Sequence, residues 1–363
     1  MLPWGEKAVS AMAVELLGKS QQELREWMAS LGEPAYRGGQ IYHALYAERR
    51  FSFAEMTNLP AALRERLAGE AAIRVPGVAR KYHSADGSIR YLLPLAGEGA
   101  RPASVEAVFM PSEGRQTICI STQAGCAVDC KFCLTATLGL VRNLTAGEIA
   151  GQVLVALAEN RERLAPRTNV VLMGQGEPLL NYEPVMNAVR ILLDPNAVAL
   201  SPRHVTLSTS GIVPGIERLA RDKVRPKLAV SLNASNDEQR DAIMPINRKY
   251  PLAALMDACR RYALRPWERL TFEYVLLGGV NDSPEDARRV VRLLSGLRAK
   301  VNLIPWNPGE LPFHSPGAAA VEEFRRILTQ KDVPAFVRYS RGQDIFAACG
   351  QLAVIESAPA AIR

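Results

Sequence analysis

Six times between residues 117 and 331 an apolar run of strand length is followed by an amphipathic run of helix length, and that alternation leaves few folds open. TICIST precedes TAGEIAGQVLVALAENRERL, NVVLMG precedes YEPVMNAVRILL, and HVTLSTS precedes PGIERLARD. KLAVSLN precedes LAALMDACRRYA, LTFEYVLLGG precedes SPEDARRVVRLLSGL, and KVNLIPW precedes GAAAVEEFRRILTQK. Strands joined through helices run parallel in one sheet, because the right-handed crossover returns each helix onto a right-twisted sheet. The predicted class is α/β, a partial (β/α)6 barrel, and in barrels of this kind chemistry gathers where the strands end.

The flanks differ in pattern. Residues 1–75 place apolar side chains three and four apart in SQQELREWMASLG, YRGGQIYHALYAERR and FAEMTNLPAALRERLAG, which predicts a small N-terminal helical domain. Nine basic and nine acidic residues balance there, so the formal charge of +7 resides in the rest of the chain. That excess permits an anionic partner without requiring one. Residues 76–112 read as a short antiparallel β extension, with VARKYHS, IRYLLPL and VEAVFMP separated by Asp86-Gly87 and by a Gly/Pro-bearing loop. The barrel then occupies 113–340, and a C-terminal segment, 341–363, closes with the Ala-rich ESAPAAIR.

A hydrophobic content of 48% over 363 residues supplies a real core and excludes a disordered tail or a disulfide-stapled miniprotein. No apolar run approaches the roughly 20 residues of a spanning helix. Glu6 and Lys7 interrupt the N-terminus where a signal peptide would be apolar, so a cytoplasmic location is expected. In a reducing compartment cysteines serve metals, catalysis or packing in preference to structural disulfides.

The six cysteines stand at 119, 126, 130, 133, 259 and 349. Cys126, Cys130 and Cys133 form CxxxCxxC just after the first barrel strand. Three thiolates so close together in sequence can ligate three irons of a cubane cluster and leave the fourth iron open to a bidentate small molecule. Phe132, just before the last cysteine, would shield such a cluster from solvent. A structural zinc site wants four closed ligands in paired CxxC spacing, and no fourth ligand follows in that pattern. Cys259, inside an amphipathic helix, is read as core. Cys119, on the first strand and two positions short of its end, reads by itself as a buried small hydrophobe. The mixture of charge, glycine and small residues around Cys349 suits a loop over a site.

CxxxCxxC after the first strand of a partial barrel resembles the radical S-adenosylmethionine (SAM) superfamily. The resemblance implies a 4Fe-4S cluster on Cys126, Cys130 and Cys133, with SAM bound to the open iron through its amino and carboxylate groups and cleaved by one electron to a deoxyadenosyl radical. The turn Met173-Gly174-Gln175-Gly176-Glu177-Pro178 ends the second strand, where the superfamily places a Gly-Gly-Glu-like turn that holds the methionine end of SAM. Gly176 and Glu177 are its candidate contacts. Ser208, Ser231, Leu232, Asn233 and Asn307, at or beyond the tips of later strands, complete the candidate SAM site, although each could also cap a helix.

Further motifs narrow the resemblance. A strand cysteine seven residues before the cluster motif, MPINRKYPL at 244–252, RGQDIFAACGQL at 341–352, and YRGGQIYHALY and MTNLPAALRERL in the helical part together resemble the RlmN/Cfr family of RNA adenine methyltransferases over nearly the whole chain. The resemblance implies that Cys349 accepts a methyl group from a first SAM. Hydrogen abstraction by the radical from a second SAM then gives a methylene radical that adds to adenine, whose carbon 2 has no nucleophilic lone pair. Glu106 would take the ring proton, and Cys119 would attack Cys349 to release the product and leave a disulfide for reduction. Without the resemblance Glu106 reads as an ordinary strand glutamate.

Glu106 and the RlmN-like ends favour carbon 2, whereas the Cfr-like branch methylates carbon 8. Two departures from the family pattern stand out: Gln175 where relatives commonly carry Met, expected to be silent because backbone shape dominates there, and Asn233 where they commonly carry His, expected still to donate to SAM. The implied partners are 23S ribosomal RNA at the peptidyl-transferase loop, tRNA at the adenosine 3′ of the anticodon, and an electron donor such as flavodoxin or ferredoxin, with the enzyme acting as a monomer. The N-terminal helices resemble the family's accessory RNA-binding domain. Barrel cations including Arg218, Lys223, Arg225, Arg261, Arg265, Arg288 and Arg292 could meet phosphates, although most sit on solvated helix faces. A zinc-stabilised RNA-binding protein without catalysis is the reading from outside this chemistry.

Overall fold

The computed structural model describes residues 13–95 and 103–353. The first twelve residues, most of the Gly/Pro-bearing loop after Leu95, and ESAPAAIR lie outside the described residues.

The N-terminal part folds as predicted in kind and differs in detail. A two-residue strand, β1 (Val14–Glu15), precedes α1 (Gln21–Ser30), α2 (Tyr36–Tyr46) and α3 (Ala61–Glu70), and pairs in parallel with β2 (Ala71–Ala72). Ser20 starts α1 with a reciprocal cap: Glu23 N–H donates to Ser20 Oγ at 3.3 Å and Ser20 N–H donates to the Glu23 carboxylate at 2.7 Å. The third helix is shorter than the periodicity suggested. Residues 53–55 make a single 3-10 turn and the helix begins only after Pro60, because a proline disfavours helical backbone in the residue before it. Leu24, Met28, Ile41, Tyr42, Leu45 and Leu67 share a core with Leu154 and Ile191 of the barrel helices, so this part is docked, not tethered. The docking brings backbones into contact: a Cβ on Gly18, whose φ is +95°, would lie 2.5 Å from the Gly147 nitrogen. Tyr42 Oη adds a hydrogen bond to Asp194 Oδ2 at 3.0 Å.

Three antiparallel strands follow, β3 (Arg80–His83), β4 (Ile89–Leu95) and β5 (Ala103–Ser112), and β5 pairs antiparallel with β6 (Arg115–Cys119). The expected β extension is therefore continuous with the barrel sheet. After β6 a small pair, β7 (Gln123–Gly125) and β8 (Leu140–Asn143), brackets a short helix, α4 (Leu134–Thr137). The βα units then run α5 (Ala146–Glu159), β9 (Arg167–Leu172), α6 (Tyr182–Leu193), β10 (Val205–Thr209), α7 (Val213–Arg221), β11 (Lys227–Ser231), α8 (Asp237–Ile243) and α9 (Leu252–Arg261). They finish with β12 (Leu270–Leu276), α10 (Pro284–Leu294), β13 (Ala299–Pro305), α11 (Ala318–Thr329) and β14 (Ala335–Val337).

Among the described residues the main sheet has ten strands in the order β14-β13-β12-β11-β10-β9-β6-β5-β4-β3, parallel from β14 to β6. The two ends do not pair, so the barrel is partial. The seventh parallel strand, β14, is only three residues long, too short for the alternation to reveal. One face of the sheet packs under the helices through residues such as Ile118, Val170, Leu207, Val230 and Phe272. The other face carries Ser208, Ser231, Glu273 and Asn302 along neighbouring strands; Ser231 registers with Glu273 and Glu273 with Asn302. That polar face is the barrel interior, open at the strand ends.

Candidate active site

The cysteine loop sits between β7 and β8, immediately beyond the end of β6. Its shape is fixed by the backbone: Cys126 N–H donates to Gly139 O at 2.9 Å, Cys133 N–H to Cys130 O at 3.1 Å, and Lys131 N–H to Ile243 O at 2.9 Å. Trp306 Nε1–H donates to Phe132 O at 3.1 Å. Cys130 and Cys133 pack against a small cluster containing Phe132, Ile243, Met244 and Trp306, the shielding expected of Phe132. Burial pushes the Cys126 thiol up to about 12, with Glu177 and Cys133 adding to it. Burial also raises Cys130 well above its usual value, and its neighbours Cys133 and Cys126 raise it further.

Three free thiols that burial holds above their usual pKa, with mutual repulsion adding to it at Cys126 and Cys130, fit a polycationic group that would take them as thiolates. Among the described residues no three His, Cys, Asp or Glu side chains converge as the ligands of a single ion would. A zinc ion draws its donors to about 2.3 Å from one point, whereas a cubane cluster spreads three thiolates over three irons. The donor set fits the cluster.

The C-terminal segment lies against this loop. Leu134 N–H donates to Gly350 O at 2.8 Å, Thr135 Oγ1 to Leu352 O at 2.6 Å, and Asn307 Nδ2 to Cys349 O at 3.1 Å. Further back, Arg341 donates to Pro111 O, Gly342 N–H reaches Asp86 Oδ2 at 3.0 Å, and Asp344 accepts from Ser84 Oγ at 2.6 Å and from Ala85 N–H at 3.0 Å. The RGQD run is thus a clamp on the Asp86-Gly87 turn, which explains why those charges precede the cysteine. Cys349 is exposed and opens onto the cleft, yet the protein packed around it raises its thiol to about 12, with Cys119, Cys133 and Glu273 contributing. Cys119 packs with the same segment beside Val108, Ile345 and Leu352. It is the last residue of β6, two positions nearer the strand end than the sequence suggested. All six cysteines are free thiols, so the implied Cys119–Cys349 disulfide is not formed here, and Cys259 is core as predicted.

Strand register puts Glu106 on this side as well. Val108 faces Cys119 across the β5–β6 pair, and Glu106, two residues away, shares their face. Its carboxylate is fully buried and paired with the guanidinium of Arg90, which lies over the Tyr82 ring at 4.0 Å. Glu106, Cys119, Cys349 and the cysteine loop are therefore brought together. Sequence reasoning missed Arg90, although a charge between apolar neighbours in IRYLLPL was its visible signal.

The glycine turn behaves differently from expectation. Gly176 has φ +97°, and a Cβ there would lie 2.5 Å from Gln123 Cβ, so packing inside the protein already requires glycine. A Gly176→Ala variant is expected to lose about 2 kcal/mol or more of stability, readable as a lowered urea midpoint with unchanged slope. Gln175 is not silent. Its backbone binds Ser121 Oγ and Thr122 N–H, and its side-chain Nε2 reaches Glu106 Oε2 at 3.4 Å. Backbone shape does matter at 175, and so does a side chain that touches the buried carboxylate.

Glu177 accepts from Leu179 N–H at 3.0 Å, Ser210 N–H at 2.6 Å and Ser210 Oγ at 2.7 Å, while burial raises its pKa. The Thr209 side chain also hydrogen-bonds this carboxylate, so its lone pairs are matched within the protein and an ammonium would have to share them. Ser208 and Ser231, half-buried with oxygens 3.5 Å apart, face the interior together. Leu232 is fully buried in the main core, so it offers backbone alone. Asn233 is held in left-handed backbone at φ +53°, with Oδ1 accepting from Val275 N–H at 2.8 Å and Nδ2 on Met244 Sδ at 3.3 Å. Its side chain is engaged in joining β11 to β12. Asn307 holds Cys349 O and Gln343, which makes it a support of the C-terminal segment. Arg240, unremarked in the sequence, binds the Ser210, Ser231 and Leu232 carbonyls and braces these strand ends from below.

Comparison with known proteins gives the same picture. A family model described as the Radical SAM superfamily matches residues 120–293, and one described as the Ribosomal RNA large subunit methyltransferase N-terminal domain matches residues 14–73. A probable dual-specificity RNA methyltransferase RlmN from Koribacter versatilis is 52% identical, over 90% of this chain and 97% of its own. The dual-specificity RNA methyltransferase RlmN of Anaeromyxobacter dehalogenans is 50% identical, over 93% and 91%. A crystal structure of a radical SAM methyltransferase from Sphaerobacter thermophilus superposes with a TM-score of 0.89 at 44% identity, covering 94% of this chain and all of that one.

Proposed function

The chain belongs to the RlmN family of radical SAM RNA methyltransferases, enzymes that use a 4Fe-4S cluster and SAM, and from that membership we propose that it methylates carbon 2 of adenosine through an S-methyl group carried on Cys349. The RNA substrates in this reading are 23S ribosomal RNA at the peptidyl-transferase loop and tRNA at the adenosine 3′ of the anticodon, with a flavodoxin- or ferredoxin-like protein giving the electron, in the cytoplasm. Residues 1–75 serve as the accessory RNA-binding domain. No helix among the described residues is long and apolar enough to cross a membrane.

The observation that carries the reading is the anchoring of the Cys349 segment on the cysteine loop by the bonds from Leu134 and Thr135, and on the end of β13 by Asn307, within electrostatic reach of Cys119 and Cys133. Cys126, Cys130 and Cys133 would hold the cluster, whose chemistry when bound would be the one-electron cleavage of SAM. Ser208, Ser231 and Glu177 are the candidate polar contacts for SAM in the interior. The methyl group on Cys349 would give a hydrogen atom to the SAM-derived radical, the methylene carbon would bond to the adenine ring, and the unpaired electron left on the ring would pass to the oxidised cluster. Glu106 accepts the ring proton, its position held by Arg90 and Gln175. As a thiolate, Cys119 attacks the Cys349 sulfur, forming a disulfide as the carbon–sulfur bond breaks; the released carbon takes a proton to become the methyl group, and external reduction restores both thiols.

The test is an anaerobic reaction of the reconstituted protein with reductant, SAM, and unmodified 23S ribosomal RNA or tRNA, followed by nucleoside mass spectrometry. About four irons and four sulfides per chain and 2-methyladenosine in both RNAs are expected. 8-Methyladenosine would overturn the carbon-2 assignment, product in one RNA alone would remove the other substrate, and zinc without iron would remove the cluster.

A further inference from the structure

The opposite end of the barrel holds a cavity of about 400 Å³ lined by Arg203, Lys223, Val224, Arg225, Arg265 and Trp267. These residues precede β10, β11 and β12, so the cavity lies at the strand starts. A five-residue strand, about 17 Å long, separates it from the strand ends where the cysteines sit.

Most barrel cations are already matched. Arg218 pairs with Glu183, Arg261 with Glu217 and Asp257, Arg288 and Arg292 with Glu285, and Arg289 with Asp286. Four others line the cavity, and two of them, Arg225 and Arg265, share one carboxylate. Glu268 is fully buried beneath it, 3.9 Å from both Arg225 Nη2 and Arg265 Nη1. Arg225 is itself 6% exposed; its Nη2 donates to Ala263 O and Arg265 Nη2 donates to Arg225 O, while Arg225 Nη1 and Arg265 Nη1 are buried without a hydrogen-bond partner, as is Glu268 Oε1. Donors of this kind are costly unless a ligand or water meets them. The positive field reaches the neighbouring imidazole: burial first, then the charges of Arg167, Lys227 and Arg203, lower the pKa of His204.

The aromatic component is equally specific. Trp267 is 36% exposed, and the Arg203 guanidinium stacks over its ring at 4.9 Å. A planar indole with a planar guanidinium beside donors for phosphate is the composition that takes an unstacked nucleotide. The cavity also adjoins the N-terminal helices, because the loop from Asp194 to Ser201 that leads into it receives Tyr42 Oη at Asp194 and His43 Nδ1 at Asn196 O.

We infer that this cavity is a second RNA site, binding one single-stranded nucleotide of the substrate, with its base on the Trp267–Arg203 platform and its phosphate on Lys223, Arg225 and Arg265. It anchors RNA that runs from the N-terminal helices around the barrel, and it does not depend on which adenine carbon is methylated.

The test uses the full reconstituted chain. An Arg203→Ala/Lys223→Ala double variant, both residues being exposed, should weaken binding of unmodified substrate RNA about tenfold and flatten the slope of log affinity against log salt by about two. Turnover at saturating RNA should not change. Trp267→Ala should weaken RNA at least about fivefold, and Trp267→Phe should restore it. A short single-stranded oligoribonucleotide should quench Trp267 fluorescence, a signal missing from Trp267→Phe, and inorganic phosphate should not. Unchanged RNA affinity and salt slope in the double variant overturn the proposal. Quenching by AMP, with RNA affinity unaffected in the variants, would assign the cavity to a free nucleotide instead.

Discussion

Replacing Cys349 with alanine is expected to lower RNA methylation by at least about 10⁴-fold while leaving iron content and SAM cleavage near those of the parent. The geometry separates these outcomes. The bonds that lay the C-terminal segment on the cysteine loop, from Leu134 and Thr135, and the one from Asn307 beyond β13 all end on a backbone carbonyl. The Cys349 side chain contributes nothing to that attachment, and its immediate neighbours Ala348 and Gly350 are small. Alanine therefore preserves the clamp and removes only the sulfur that carries the methyl group. The measurement pairs nucleoside mass spectrometry with quantification of 5′-deoxyadenosine and of iron and sulfide. A variant that still methylates RNA would end the S-methyl mechanism, and one that also loses iron would make Cys349 a cluster ligand. Cys119→Ala is the complementary case. With no thiol to attack Cys349, RNA should remain covalently attached and migrate with the protein under denaturing conditions.

The barrel was legible because its signal is repetitive. Six apolar runs alternate with six amphipathic ones, and each of the long barrel strands and helices overlaps the run that periodicity assigns to it, with ends shifted by up to five residues. Elements shorter than one period left no trace: the two-residue β1 and β2 and the three-residue β14 contain too few positions to alternate. Side chains divided in the same way. Cys126, Cys130 and Cys133 announce themselves by spacing, whereas Arg90 and Glu106 stand sixteen residues apart and meet only through the β4–β5 register. Gln175 shows why backbone reasoning was incomplete. A turn defined by glycines fixes the main chain, but the side chain between them points at whatever the adjoining strand presents, here a carboxylate. Asn233 and Asn307 show a use that spacing does not reveal, since polar residues at strand tips also join neighbouring segments.

The buried Arg90–Glu106 pair leads to the second large effect. Both side chains have no exposed surface, and the guanidinium is further held over Tyr82. Removing one partner from such a pair strands a desolvated charge, which costs about 3–5 kcal/mol. Arg90→Met should therefore lower stability by that amount in urea unfolding. Replacing both charges with neutral groups of similar shape is often close to neutral, so Arg90→Met/Glu106→Gln should recover most of the loss. The double variant separates folding from chemistry. If the pair served only the fold, recovered stability would bring back methylation. If Glu106 is the proton acceptor, the double variant folds, keeps its iron and cleaves SAM, yet makes no methylated adenosine, because amide nitrogen and oxygen cannot take the ring proton as a carboxylate does. Recovered stability without recovered methylation would show that the charge on Glu106 serves the proposed proton transfer and not the fold.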